Sequence, residues 1–229
     1  MSASALRTPV EGAPQADALA VLPALRSLVP GLRRGQVVSV DGGGALLLAL
    51  AAGVSAEGAW CAVVGMPECG VLAASDMGVD PRRLLLVDEP GGRWPEVVAT
   101  LLGPVEVVLL RPPARPSVVE VRRLTAHARR HGAVLVVAGA WQGAYLRLRV
   151  ASSLWTGLGD GHGHLRGRRV QVVAEGKGRP RAAWLWLPDP EGKVSSAGLA
   201  AVEAGAEVVE TGVEPGVEPG GELPAEVAG

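Results

Sequence analysis

A chain of 229 residues that is 48% hydrophobic, with 20% charged residues and a net charge of −1, has the length and apolar content to bury one substantial core, which excludes a wholly disordered chain. Two cysteines, Cys61 and Cys69, without histidine companions or zinc-type spacing, argue against a metal module and read as reduced structural thiols. No run reaches the ~20 apolar residues of a membrane span and no charged start precedes a long apolar run, so the expected location is the cytoplasm, away from membranes.

Residues 1–21, rich in Ala, Ser, Pro and Gly, read as a flexible lead-in or a short docking helix. From Gln36 the chain alternates short apolar runs with helical segments. "QVVSV" (36–40), "AWCAVV" (59–64), "RLLLV" (83–87), "VEVVLL" (105–110) and "AVLVVA" (133–138) read as buried strands. Between them, "ALLLALAAGVSAEG" (45–58), "ECGVLAASDMG" (68–78), "WPEVVATLLG" (94–103) and "SVVEVRRLTAHARRHG" (117–132) read as helices. Continuous apolar strands separated by helices indicate a parallel sheet covered on both faces. In 117–132 the arginines Arg122, Arg123, Arg129 and Arg130 oppose Val118, Val121, Leu124 and Ala128, an ordinary amphipathic design.

After Gly139 the pattern turns to alternation: "AYLRLRVA" (144–151), "RRVQVVAEG" (168–176) and "RAAWLWLP" (181–188), joined by glycine-rich turns, predict antiparallel strands that extend the sheet. From Asp189 the composition changes. Residues 189–229 carry nine acids and one base, against 21 bases and 14 acids before them. That tail cannot bury enough apolar surface to offset the entropy of ordering it, so disorder is expected, with a short helix near 197–210 as its most structured part.

"VVSVDGGGALLLALAA" (37–52) lays out a strand, a glycine turn and a helix, the layout of a phosphate-binding loop. That loop needs G-x-x-x-x-G-K-[ST], with lysine on the β/γ oxygens and a hydroxyl on Mg²⁺. Counted from Gly42 the required positions hold Leu47, Leu48 and Ala49; starting from Gly43 or Gly44 does no better. Asp41 immediately precedes the glycines, where it would repel a polyphosphate and is expected to cap the helix.

The order of the pieces resembles RecA-type recombinases. "LVPGLRRGQVVSVDGGG" is similar to their entry into the phosphate-binding loop, "GAWCAVVGMPE" to their second strand and its glutamate, and "MGVDPRRLLLV" to the segment before their third strand. The resemblance covers roughly residues 22–187. It implies an α/β, RecA-like P-loop-type fold with a mostly parallel central sheet flanked by helices, antiparallel C-terminal strands and a disordered acidic tail. The expected division is a flexible segment 1–21, a core domain 22–188 and the tail 189–229. Carried over residue by residue, Glu68 matches the glutamate that orients the hydrolytic water, and Arg111 stands where the metal-side aspartate would be. Asp41, Gly42, Gly43, Gly44, Glu68 and Arg111 then form a vestigial nucleotide site without ATPase chemistry, metal or cofactor. The loops that bind DNA in that family are short here, "RPPARP" (111–116) and "GAWQG" (139–143). A short, degenerate chain of this kind looks most like the actinobacterial ImuA-type proteins. That implies an accessory role in damage-induced translesion synthesis, beside an ImuB-type Y-family-like protein and an error-prone DnaE-type polymerase.

A second reading is a DNA-binding module. Arg147, Arg149, Arg166, Arg168, Arg169, Lys177, Arg179 and Arg181 fall on adjacent strands and turns, with Trp155 as a stacking face and the acidic tail as an autoinhibitor. The same pattern also describes a solvated sheet edge protected by charge. Trp184 and Trp186 share one face of the last strand, where they either pack under a helix or meet a partner. His162 and His164 read as solvated loop histidines, too few for a metal. Ser152 and Ser153 have no base nearby.

Overall fold

The computed structural model describes residues 18–159 and 162–198, with the side chains of 158, 159, 162 and 163 left aside. The chain enters through β1 (Ala18–Leu19), which pairs antiparallel with β2 (Leu32–Arg33). Leu25, Leu28, Val29 and Leu32 of this entry segment are buried. Next come β3 (Val37–Asp41), α1 (Gly44–Ala56), β4 (Cys61–Val64), α2 (Val71–Asp76) and β5 (Leu84–Val87). They are followed by α3 (Trp94–Leu101), β6 (Val107–Leu110), α4 (Val118–His131) and β7 (Val134–Ala138). A hairpin of β8 (Leu146–Gly159) and β9 (His162–Glu175) leads to β10 (Arg181–Trp186) and β11 (Ser195–Ser196).

One nine-stranded sheet runs in the order β11-β10-β9-β8-β3-β7-β6-β4-β5. From β8 to β5 every neighbour is parallel; from β8 to β11 every neighbour is antiparallel. Two apolar layers flank it. One holds α1, the entry segment and residues such as Val38, Val63 and Val136; the other holds α3, α4 and residues such as Ala62, Val108 and Leu135. Strands buried on both faces need apolar side chains at every position, which is why they read as runs.

Helix α1 is buried continuously from Leu46 to Ser55, so it has no polar face. The entry segment covers its outer side. A Cβ at Gly53 would lie 2.5 Å from the Val21 backbone, so the crossing requires glycine. Helix α4 is built the opposite way, with Val121, Leu124 and Ala128 buried and its arginines in solvent. Ser117 and Glu120 close its start with a reciprocal capping box, worth ~1 kcal/mol, and Gly132 ends it at φ 70°.

Several sequence expectations need correction. The strand at 144–151 is not antiparallel to the core: β8 lies parallel to β3, and antiparallel pairing begins at β9. The stretches 152–159 and 162–167 are not turns but the far part of a hairpin of two 14-residue strands, which places His164 on a strand rather than a loop. The folded unit exceeds 22–188, taking in β1 at one end and β11 at the other. Val118 belongs to the exposed side of α4. The tail beyond Gly198, most of the helix expected near 197–210, and most of the lead-in lie outside the described residues.

Candidate functional site

The glycine turn follows β3 at the C-terminal end of the parallel strands. Gly42 and Gly43 hold φ of 110° and 126°, a region that L-residues rarely occupy, and α1 starts at Gly44. Side chains from four separate segments close around them. A Cβ at Gly42 would lie 2.5 Å from Val150 Cβ, one at Gly43 would lie 3.6 Å from Arg168 Nη1, and one at Gly44 would meet Met66 Cε at 3.4 Å and Arg111 Nη2 at 3.9 Å. The N-cap is Gly43, and no side chain caps the helix. Asp41, expected as the cap, instead ends β3 in solvent, in register with Arg149.

Glu68 and Arg111 meet. They leave the ends of the neighbouring strands β4 and β6, and the Arg111 guanidinium donates to Glu68 Oε1 in an ion pair. A hydrogen bond from its own backbone N–H, then the Arg111 contact, holds the Glu68 carboxyl below its ordinary range. A carboxylate so stabilised is a poor proton acceptor. In α1 the positions that a phosphate-binding loop reserves for lysine and hydroxyl hold Leu48 and Ala49, both buried. A magnesium-bound triphosphate would meet no lysine and no hydroxyl on the first two turns of α1, and a cation where the metal-side acid belongs. These residues do not fit that ligand.

The fold divides the eight cations of the second reading into three groups. Arg168, from β9, comes to the glycine turn; its Nε donates to Ser153 Oγ at 2.7 Å and its guanidinium lies 5.6 Å from the Trp155 ring centre. Burial lowers its pKa. Arg169, one residue on, points to the opposite face and is 4% exposed, lying 5.5 and 5.7 Å from the ring centres of Trp184 and Trp186. Those tryptophans are half-buried, with Arg169 over both rings. Arg147, Arg149, Arg166, Lys177, Arg179 and Arg181 are exposed. Arg33 and Tyr145, which the sequence did not single out, and Arg129, read there only as part of the polar face of α4, lie among some of these cations at the opposite end of the sheet. The only local signal was "GLRRG" before β3.

Among the described residues no other chemistry gathers. Burial, then the charge of Glu106, pushes the Cys61 thiol up to about 12, and burial raises Cys69 as well, so neither is set up as a nucleophile. Among the described residues no group of three His, Cys, Asp or Glu could hold a metal, and no helix is long and apolar enough to cross a membrane.

Residues 27–143, from the entry segment to the turn after β7, match the model of the MT3502 N-terminal domain. The chain belongs to that family. The match ends before β8, so Val150 and Arg168, which close on the glycine turn, come from outside it. The chain is 39% identical over 116 residues to the uncharacterized protein Rv3395c of Mycobacterium tuberculosis. That alignment takes in 50% of this chain and 57% of its relative, so it spans little more than half of that protein. In three dimensions the chain is similar to the RadB recombinase, with a TM-score of 0.55 over 77% of this chain and 97% of that one, at 17% identity. The fold is RecA-like, with a mostly parallel central sheet and antiparallel C-terminal strands.

Proposed function

We propose that this member of the MT3502 N-terminal domain family is a catalytically inactive RecA-like scaffold. It acts as an accessory factor in damage-induced translesion DNA synthesis, as its resemblance to ImuA-type proteins implies. An ImuB-type Y-family-like protein and an error-prone DnaE-type polymerase are its partners. The observation that carries the reading is the glycine turn, which keeps the position of a phosphate-binding loop while Val150, Met66, Arg111 and Arg168 crowd it. A RecA-like sheet without nucleotide chemistry still offers surfaces. Its β5 edge leaves Leu85 and Leu86 37% and 40% exposed, and on α2, next to it in the chain, Leu72 is 77% exposed. Uncovered apolar side chains along an open strand suit a protein partner.

Titration calorimetry with ATP and with ADP, in the presence and absence of Mg²⁺, tests the first half. No heat of binding is expected, and magnesium-dependent micromolar affinity would overturn the reading. Co-purification of the full chain with the ImuB-type protein tests the second half. Leu72→Asp should weaken that capture, and capture unchanged by it would move the partner surface elsewhere.

A further inference from the structure

We infer that the cations around Tyr145, at the end of the sheet opposite the glycine turn, form a binding site for the phosphate backbone of single-stranded nucleic acid. The backbone N–H of Tyr145 donates to the Val37 carbonyl at 2.8 Å, which fixes the residue beside the start of β3. Two cations approach its ring, Arg33 at 5.8 Å and Lys177 at 5.9 Å from the ring centre. Arg33 also donates from Nη1 to the Tyr145 hydroxyl at 3.1 Å. Two clefts, of about 370 and 410 Å³, meet at Tyr145, Gly176 and Lys177. One continues past Arg179 and Arg181, the other past Arg129 and Arg147.

These cations arrive from β2, the last turn of α4, the start of β8 and the turn between β9 and β10. Glu175 is the one acid among the residues lining either cleft. Among the described residues the ion pair formed is Glu68–Arg111, far from here; Glu175 stands opposite Arg147 in the β8–β9 register, but neither Arg147 nor Arg129, Lys177, Arg179 or Arg181 forms an ion pair. Like charges gathered along a concave surface focus a positive field and repel one another until an anion joins them. Two adjoining clefts lined by cations suit successive phosphates of one flexible strand, and the tyrosine where they meet is an aromatic group of the kind that contacts unpaired bases, which a duplex does not present.

The chain carries its own competing polyanion. Between 203 and 226 it has seven glutamates, and β11 runs antiparallel to β10, so at Gly198 the backbone is heading towards the Arg181 end of β10. The site does not depend on the role proposed beside a polymerase, and it can fail while that role stands.

The test is fluorescence anisotropy of a labelled oligodeoxythymidine of roughly 20 nucleotides. It uses the full chain and a full chain whose seven glutamates from 203 to 226 are changed to glutamine. Binding should weaken steeply with salt, and the combination Arg147→Ala with Lys177→Ala should reduce affinity about tenfold or more. The same combination should flatten the log–log salt dependence by about 1.4, two lost phosphate contacts at ~0.7 each. Arg122→Ala with Arg123→Ala, on the outer face of α4, should leave both unchanged. Both altered chains should melt like the parent, since all four side chains are exposed. Tighter binding by the glutamine-tailed chain, cancelled by the Arg147 and Lys177 changes, would support the site with the tail as its competitor. Failure of both chains to bind, indifference to Arg147 and Lys177, or equal affinity for a duplex of the same length would overturn it.

Discussion

At the two ends of the β3–β8 pair the molecule handles positive charge in opposite ways. Beyond Asp41, Arg111 is paired with Glu68 and Arg168 is held by Ser153 and Trp155, so both guanidiniums are occupied within the protein. Beyond Tyr145, five cations line open clefts in which Glu175 is the one acid, and none of the five forms an ion pair among the described residues. The two ends share a sheet but no side chains, so the residues at the glycine turn and the cations around Tyr145 can vary independently. The family match covers the first end up to residue 143, and most of the second lies past it.

The largest effect should come from tightening the closed end. Gly65 follows β4 with φ of 73°, and a Cβ there would sit 2.2 Å from the Arg111 carbonyl oxygen. Backbone cannot rotate aside as a side chain can. Gly65→Ala should cost about 3 kcal/mol or more, from positive-φ strain and overpacking together, read as a lower urea midpoint at an unchanged slope. A loss under about 1 kcal/mol would mean that the exit of β6 yields easily and that the glycine turn is less firmly closed than its contacts indicate.

Much of the closed end was legible in sequence, since β3, α1 and β4 are consecutive and each has a pattern that one period explains. Glu68 and Arg111 were also found, through the resemblance, although their pairing was not. Arg168 at the glycine turn was not legible, because it arrives from a strand far along the chain and nothing local marks it. The same holds for Arg33, which meets Tyr145 across 112 residues. The long hairpin was misread for a different reason. Gly157 and Gly167 look like turn residues, yet they serve close approach: a Cβ at Gly157 would meet the His164 carbonyl oxygen at 2.2 Å, and one at Gly167 the Trp186 ring at 3.1 Å. Glycine signals a tight backbone contact, and only topology says whether that contact is a turn or a neighbouring strand.

A middle-sized effect should separate arginines of the same extension. Arg169 is enclosed by two tryptophans and donates from Nη2 to the Gly198 carbonyl at 3.1 Å, so truncation removes packing, a desolvated cation–π contact and a hydrogen bond. Arg169→Ala should lower stability by about 2 kcal/mol, whereas Arg147→Ala, in solvent on β8, should stay within about 0.5 kcal/mol. Thermal melts of the two variants in one buffer decide it. Equal shifts would mean that the Trp184–Arg169–Trp186 stack adds no more to the fold than an exposed charge does.

The smallest effect tests whether the Glu68–Arg111 pair holds the closed end together or only occupies it. Both side chains are well exposed, 56% for Glu68 and 40% for Arg111, so solvent and salt screen the pair and Glu68→Gln should cost at most about 1 kcal/mol at neutral pH. The Glu68 carboxyl sits below its ordinary 4.5 in the fold, so the folded chain releases this proton at lower pH than the unfolded chain does. Its contribution is complete above that ordinary value and disappears as pH falls through the lowered one. Urea melts of parent and Glu68→Gln should thus differ slightly at neutral pH and converge as pH falls below the ordinary carboxylate range, with added salt shrinking the neutral-pH difference. A difference that grew on acidification would require the folded carboxyl to hold its proton more tightly than the unfolded one, opposite to what Arg111 beside it imposes. Convergence from a small value would assign the closure to Val150 and Met66, whose contacts carry no charge and feel neither acid nor salt.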